Sequence, residues 1–305
     1  MAEAAKRRKA WPFYLGILLV LAMLPVGYFV FLGQEPAPPP PPPPPPPVKH
    51  LSELKLDEVS GQVQIRRAGG EWTVAATGET LKSSDAVKTA DGAYAVLVGG
   101  EAYEVRMEAG TEVAVSELSD SISKLLLESG MATARVKGAA KHTFEVKATG
   151  SEARASTRGG EFTISSNGLG TVAVGTRDGV TEFEGGGKVV LVNAGYQSLV
   201  VPGKKGPSEP TPIPADLLLS VKVPQGNLEK PIAVIRGHVA PGSRVDVNGH
   251  IVKVDQDGEF KHTIKLVDGN NPIITRAVSV GGTSKVSRDK VPWLRGTKVD
   301  SDLWK

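Results

Sequence analysis

Apolar and polar residues follow two different patterns along this chain of 305 residues. No residue between positions 11 and 33 is charged, and most of them are apolar. From Val59 onward, apolar and polar residues alternate in short runs separated by glycine-containing pairs. The uncharged run predicts a transmembrane helix, which needs about 20 residues. Alternation with a period of two predicts half-buried strands, so one helix should precede an all-β region.

The uncharged run lies between a basic segment and a proline-rich segment. The basic residues before it are Lys6, Arg7, Arg8 and Lys9. The positive-inside rule therefore predicts a cytoplasmic tail over 1–10, a transmembrane helix over 11–33 and periplasmic domains after it, as in a single-pass inner-membrane protein. Ten prolines at 38–47 predict a polyproline II spacer over 34–50, about 30 Å long across the prolines. A cleaved signal peptide is the alternative, but its apolar region normally has about 7–15 residues.

The alternating region divides into two predicted β blocks. The first covers 51–201, with Asn167-Gly168, Asp178-Gly179 and 185–187 expected as turns between its strands. Residues 120–129, "DSISKLLLES", fit either a short helix or a strand. Short strands with glycine turns are compatible with a sandwich, a barrel or a stacked solenoid, and periodicity does not distinguish these.

The second predicted block follows a linker rich in proline and glycine. The linker covers residues 202–217, the second block covers residues 218–290, and a C-terminal tail covers residues 291–305. Asn248-Gly249 and Asp257-Gly258 predict two tight hairpins inside the block. A block of this size with such turns predicts a small immunoglobulin-like sandwich. The linker has too few apolar residues to join two cores, so the blocks should be separate folding units.

Charge and cysteine content exclude several functions. The chain has 36 basic and 33 acidic residues, and they are interleaved, so the sequence lacks the basic patch typical of nucleic-acid binding. It has no cysteine, which excludes disulfides, thiolate metal sites and cysteine nucleophiles.

Few residue patterns suggest catalytic or metal chemistry. His238, His250 and His262 lie close in sequence, but a zinc site needs three or four converging ligands, and solvent-facing strand positions explain them as well. Residues 255–258, "DQDG", begin like a calcium loop, yet Leu266 occupies the position of the required glutamate. No Ser-His-Asp arrangement or phosphate-binding loop is recognisable. We therefore predict no catalytic, cofactor-binding or metal-binding residues and no cofactor.

Trp72 has two possible roles. A tryptophan between strands usually packs into a core, and we expect that here. The alternative is a platform for a carbohydrate ring.

Residues 61–115 resemble the exported domain of FecR-type proteins. That family shows a G-x-V strand, an aromatic residue, G-x-x-L and a D-x-V-x-T turn, in the order found here. The matching residues are Gly61, Val63, Trp72, Gly78, Leu81, Asp85, Val87 and Thr89. Further matching segments are 127–136, 144–146, 158–162, Gly179-Val180 and 194–197. The chain departs from the pattern at Gly160, where the family usually has threonine, and at Ser84, where it usually has glycine.

The second block resembles bacterial immunoglobulin-like modules of the glucodextranase type. The shared pattern is G-x-x-x-P-G-x-x-V-x-V-N-G, then D-x-x-G-x-F, then L-x-x-G-x-N. The matching residues are Gly237, Pro241, Gly242, Val245, Val247, Asn248, Gly249, Asp255, Gly258, Phe260, Leu266, Gly269 and Asn270.

The FecR resemblance implies a membrane-anchored regulator whose cytoplasmic tail controls a sigma factor. A tail of ten residues is too short to form a folded partner surface, so the exported half of that function is favoured. The expected protein is thus a non-enzymatic, membrane-tethered binding, scaffolding or sensing module with an envelope protein or glycan as partner and no nucleic acid. The alternative is a regulator of the FecR type that acts with a separate cytoplasmic partner.

Overall fold

The computed structural model of the chain describes residues 11–31, 53–138, 142–225, 228 and 230–294. The predicted cytoplasmic tail, the polyproline spacer and residues 295–305 of the predicted C-terminal tail lie outside these ranges. The chain divides into two compact units, residues 1–49 and 50–305.

The first unit has one helix in its described residues, α1 (Trp11–Phe31). α1 carries no charged residue and contains Pro25. Nowhere in the described part of the chain is a helix both long and apolar enough to cross a membrane. The transmembrane helix over 11–33 and its orientation stay predictions.

The second unit is all-β in its described residues, as the alternation predicted. Its N-terminal part has sixteen described strands, of which fifteen lie in the first block and the last, β16, lies in the predicted linker. These strands are β1 (Leu54–Ser60), β2 (Val63–Arg66), β3 (Trp72–Val74), β4 (Thr80–Leu81), β5 (Ala86–Thr89), β6 (Tyr94–Gly99), β7 (Tyr103–Met107), β8 (Glu112–Leu118), β9 (Ile122–Val136), β10 (Thr143–Ala148), β11 (Arg154–Thr157), β12 (Gly160–Ser166), β13 (Val172–Gly185), β14 (Lys188–Asn193), β15 (Tyr196–Val200) and β16 (Thr211–Pro212).

Two long strands, β9 and β13, connect two halves of the sheet in the first block. One half has the order β4-β1-β6-β7-β9-β12-β13-β15-β16, and the other has β3-β2-β5-β8-β9-β10-β11-β13-β14. Apolar side chains from both halves form one core, with Phe144, Phe162 and Phe183 as its largest fully buried members. Residues 120–129, which fitted a helix or a strand, lie mainly in β9 and form a strand.

The expected turn at Asp178-Gly179 is wrong, because this pair lies inside β13. Glu161 pairs with Asp178 while Phe162 pairs with Thr176, so Arg177 is an extra residue in the ladder. Such a bulge bends a strand without ending it. Gly179 has φ +72°, and a Cβ there would lie 2.6 Å from the carbonyl oxygen of Gly159, so glycine is required at the bend.

The second block has seven described strands in two sheets. Their bounds are β17 (Leu219–Lys222), β18 (Ile232–Val239), β19 (Arg244–Val247), β20 (His250–Val252), β21 (Glu259–Lys265), β22 (Gly269–Val278) and β23 (Ser284–Trp293). The sheet orders are β17-β18-β21 and β20-β19-β22-β23, and both sheets contribute to a second apolar core. Since β23 ends at Trp293 and Val291 is fully buried, the last strand extends into the predicted tail.

The two predicted hairpins of the second block have different outcomes. Asn248 and Gly249 have φ of 51° and 84° and join β19 to β20, as predicted. Asp257-Gly258 forms the predicted tight turn, flanked by the antiparallel bridge between Val254 and Phe260 and by a hydrogen bond from Asp255 N to the carbonyl oxygen of Glu259 at 2.9 Å. The pairing does not continue into a full hairpin, because β20 and β21 belong to different sheets and the turn passes from one sheet to the other.

Residues 202–217, predicted as a linker, pack against the blocks. The short strand β16 pairs with β15, and Gly206 and Pro207 are buried. Leu217 is fully buried in the second core. The segment is thus held in place in its middle and at its C-terminal end.

Candidate functional site

The two β blocks contact each other directly. Asn167 Nδ2 donates to the carbonyl oxygen of Val254 at 3.1 Å, and Ser165 Oγ donates to that of Gly242. A small third apolar cluster joins Met131 and Ala173 of the first block to Val280 of the second. This cluster is separate from the two larger cores and gives the blocks an apolar contact that the composition of the linker did not predict.

A groove of about 460 Å³ lies at this contact and is lined by both blocks; we call it the junction groove. Arginines outnumber acidic residues by two in its lining. The arginines are Arg106, Arg135, Arg177, Arg244 and Arg276, and the acids are Glu104, Glu108 and Glu161. The excess of positive charge favours anions.

Two of these arginines share one carboxylate. Arg135 donates from Nε and Nη2 to Oε2 of Glu161 at 2.9 and 2.7 Å. Arg177 donates from Nη1 to the other oxygen, Oε1, at 3.2 Å. Glu161 therefore orients both guanidinium groups but neutralises one charge, and the remaining N–H groups are available to a ligand.

The second block contributes one arginine that is paired with a carboxylate and one whose hydrogen-bond donors are only partly satisfied. Arg276 Nε donates to the buried Asp246 at 2.9 Å. Arg244 donates from Nη1 to the carbonyl oxygen of Ala109 at 3.3 Å, but its buried Nε has no acceptor among the described residues. Burial lowers the pKa of Arg244, while Glu108 and Asp246 act in the opposite direction.

A buried hydroxyl in the groove also lacks a partner. Ser279 Oγ forms no hydrogen bond with any described residue, and Ser279 lines the groove beside Arg244. Buried polar atoms in proteins are nearly always hydrogen-bonded, so Arg244 Nε and Ser279 Oγ are unusual in lacking a partner among the described residues. The exposed guanidinium groups of Arg135, Arg177 and Arg276 are the ones that a carboxylate or phosphate in the groove could reach, and its geometry matches theirs.

The three histidines of the second block do not converge. On β18 and β21, His238 is paired with Glu259 and His262 with Ile235, which places the two histidines on opposite faces of the sheet. His250 and His262 stack with ring centroids 6.2 Å apart. Within the described residues, no group of three histidine or acidic side chains could hold a metal ion.

His250 and His262 instead lie at the contact between the blocks. Asp91 of the first block accepts a hydrogen bond from the Ile251 backbone at 3.1 Å, and its other oxygen lies 3.1 Å from His250 Nδ1. Burial lowers the pKa of His262, the nearby His250 lowers it further, and Asp91 acts in the opposite direction. The net effect favours the neutral form of His262.

We expect this burial of His262 to make stability depend on pH. Because its pKa is lower in the folded chain than in the unfolded chain, the unfolded chain binds its proton first on acidification. Stability should decrease as pH falls from about 7.5 through the ordinary histidine pKa of about 6.5 to the lower folded-state value. Urea unfolding at pH 7.5 and 5.0 should show a smaller loss for His262→Gln than for the wild type. The outward-facing control His238→Gln should keep the wild-type loss, and equal losses in all three proteins would contradict the expectation.

The D-x-V-x-T residues have structural roles. Asp85 is buried and accepts hydrogen bonds from the backbone N–H groups of Lys82 at 2.9 Å and Ala68 at 3.0 Å and from Arg67 at 3.0 Å. Val87 is fully buried in the core. Thr89 Oγ1 accepts a hydrogen bond from Thr111 N at 2.9 Å. These contacts connect loops to strands and leave no free group for a ligand.

Trp72 is not in the core, so that prediction is wrong. It is half-buried on the outer face, with Arg66 Cζ 4.7 Å and Lys88 Nζ 5.9 Å from its ring centroid. Glu112 lies within ion-pair distance of both cations. Since β3 is an edge strand with few neighbours, its tryptophan packs on charged side chains of β2 and β5.

The solved structures compared with the chain are weak likenesses. No protein-family model matches the chain, and no characterised protein matches it significantly. Two crystal structures of a candidate anti-sigma factor from Parabacteroides distasonis align with TM-score 0.37 and 19% and 20% identity, over 42% of this chain and 59% of that one. A polysaccharide lyase aligns with TM-score 0.20 and 11% identity, over 80% of this chain and 40% of the lyase. The chain thus spans less than two thirds of each of these proteins, and the scores are too low to support a common function.

Proposed function

We propose that the chain is a membrane-tethered, non-catalytic binding module of the cell envelope, with a FecR-like first block and an immunoglobulin-like second block. Its junction groove receives an anionic group of a partner. The observation that carries this proposal is the groove's surplus of arginines, three of which are exposed and oriented by Glu161 or Asp246.

The tether in this proposal rests on the sequence. The uncharged run over 11–33 follows four basic residues and precedes the prolines of the spacer. This order supports an anchor with the β blocks on the periplasmic side, held away from the membrane by the spacer.

Crosslinking in intact cells tests the proposed function. A photoreactive residue at Ser284, an exposed position in the lining of the groove, should form an adduct with the partner. Arg135→Gln should reduce that adduct, because a hydrogen bond to a charged group contributes about 1.5–3 kcal/mol, or about tenfold or more in affinity. Glu161 keeps Arg177 as a partner in this variant, so the groove should stay folded.

The matched control removes an exposed arginine that does not line the groove. Arg288 is exposed on β23 and does not line the groove, so Arg288→Gln should leave the adduct unchanged. An equal adduct in Arg135→Gln would overturn the role of the groove. Capture of a cytoplasmic protein that depends on residues 1–10 would instead favour a regulator of the FecR type.

A further inference from the structure

Three cationic side chains lie directly opposite one another across one sheet of the second block. Lys222 on β17 pairs with Arg236 on β18, and Arg236 pairs with Lys261 on β21. All three are exposed on the outer face of the sheet. We call this set the cationic row. Adjacent strands lie about 4.8 Å apart, so the row extends about 10 Å across the strands.

The charges in the cationic row are not compensated. Lys222, Arg236 and Lys261 form no ion pair with any described residue, whereas most arginines of the junction groove have a carboxylate partner. Like charges directly opposite one another destabilise a sheet. An arrangement that costs stability and has no internal partner points to an external anion.

The surface around the row is concave and also offers hydrogen-bond acceptors. A depression of about 520 Å³ is lined by the three cations and by Lys253, with Leu169 of the first block also in its lining. Asp255 and Glu259 line it too. Neither of these carboxylates has an ion-pair partner among the described residues, and Asp255 uses Oδ1 to accept the backbone N–H groups of Asp257 and Glu259.

We propose that the cationic row binds a segment of an acidic polysaccharide. Carboxylates of successive sugars would bind Lys222, Arg236 and Lys261, and hydroxyl groups would donate to Asp255 and Glu259. A polymer whose only polar groups are phosphates would place anions beside these two carboxylates and would donate no hydrogen bond to them. A concave strip also suits a single chain better than a flat membrane surface. This site is separate from the junction groove and does not depend on its function.

Calorimetric titration of the full chain in detergent with a polygalacturonate oligomer tests the proposal. The variant Arg236→Gln/Lys261→Gln should bind about tenfold more weakly, since two exposed charge contacts are lost. It should fold, because removing opposed like charges relieves repulsion, and a thermal melt checks this. The matched control Arg288→Gln/Lys290→Gln removes two exposed cations from β23 and should bind like the wild type.

Three further ligands identify what the row recognises. A methyl-esterified polygalacturonate oligomer of equal length should bind much more weakly, and equal binding would overturn the role of the carboxylates. Polyphosphate of equal charge should bind more weakly than the acidic oligomer, and equal or tighter binding would overturn the polysaccharide assignment. Vesicles with anionic phospholipid should bind the Arg236→Gln/Lys261→Gln variant as well as they bind the wild type. Weaker binding of the variant to these vesicles would mean that the row contacts a membrane. Absence of binding of the acidic oligomer at low salt would overturn the proposal itself.

Discussion

Asp85→Ala should lower the free energy of unfolding by about 2–4 kcal/mol. The substitution leaves the backbone N–H groups of Lys82 and Ala68 without their acceptor, and each unsatisfied buried donor costs about 1–3 kcal/mol. The accompanying ion pair with the half-exposed Arg67 adds little. Urea unfolding at pH 7 measures the loss. The exposed control Asp57→Ala, which removes a surface pair with Lys55, should stay within about 0.5 kcal/mol of the wild type.

The effect of Asp85→Ala should also diminish in acid. Burial alone raises the pKa of Asp85, but hydrogen bonds from Lys82 and Ala68 and the charge of Arg67 outweigh it and lower the pKa below its ordinary value. The contribution of the carboxylate is therefore complete at pH 7 and is lost as pH falls below about 4 and through the folded-state pKa. A stability difference that stays constant down to pH 2 would show that the carboxylate charge is not responsible.

Gly175→Ala should weaken the contact between the blocks by about 1–3 kcal/mol. A Cβ at Gly175 would lie 2.8 Å from the carbonyl oxygen of Val280 and 2.9 Å from its carbonyl carbon, and backbone atoms cannot turn away as a side chain can. Hydrogen exchange of β22 and β23 in the full chain should accelerate, because these strands flank the displaced turn.

A glycine with open surroundings supplies the comparison for Gly175. At Gly138, apart from its chain neighbours, the nearest described atom to an added Cβ would be the carbonyl oxygen of Arg158 at 3.8 Å, so Gly138→Ala should leave the exchange of β22 and β23 unchanged. Unchanged exchange in Gly175→Ala would mean that the blocks are coupled weakly and behave as the separate folding units that the linker composition predicted.

Short-range patterns predicted much of the fold. The alternation from Val59 onward predicted an all-β region, and Asn248-Gly249 predicted the hairpin between β19 and β20, because each signal lies within a few residues. The turn predicted at Asp178-Gly179 is wrong, because a glycine at a bulge and a glycine at a turn need the same backbone conformation. Which one occurs depends on the partner strand β12, which lies elsewhere in the sequence.

The two charged surfaces could not be predicted from local patterns. Arg135, Arg177 and Arg276 occupy outward positions that alternation assigns to solvent, and they meet only after the blocks pack together. The cationic row depends in the same way on the register of three strands. A scan for uncompensated cations on neighbouring strands could have suggested the row, whereas the junction groove needed the contact between blocks.

The two halves of the sheet share β9 and β13, and this limits where the gene can acquire insertions or deletions. An inserted or deleted residue in a strand moves every following side chain to the opposite face. In β13, an insertion after Gly179 would misalign the buried Phe183, and an insertion before Gly179 would misalign the buried Val174. Because both halves of the sheet pair with β13, either insertion would disturb both halves. Length variants should therefore accumulate in hairpin ends such as 167–171 and 194–195, and rarely within the two long strands.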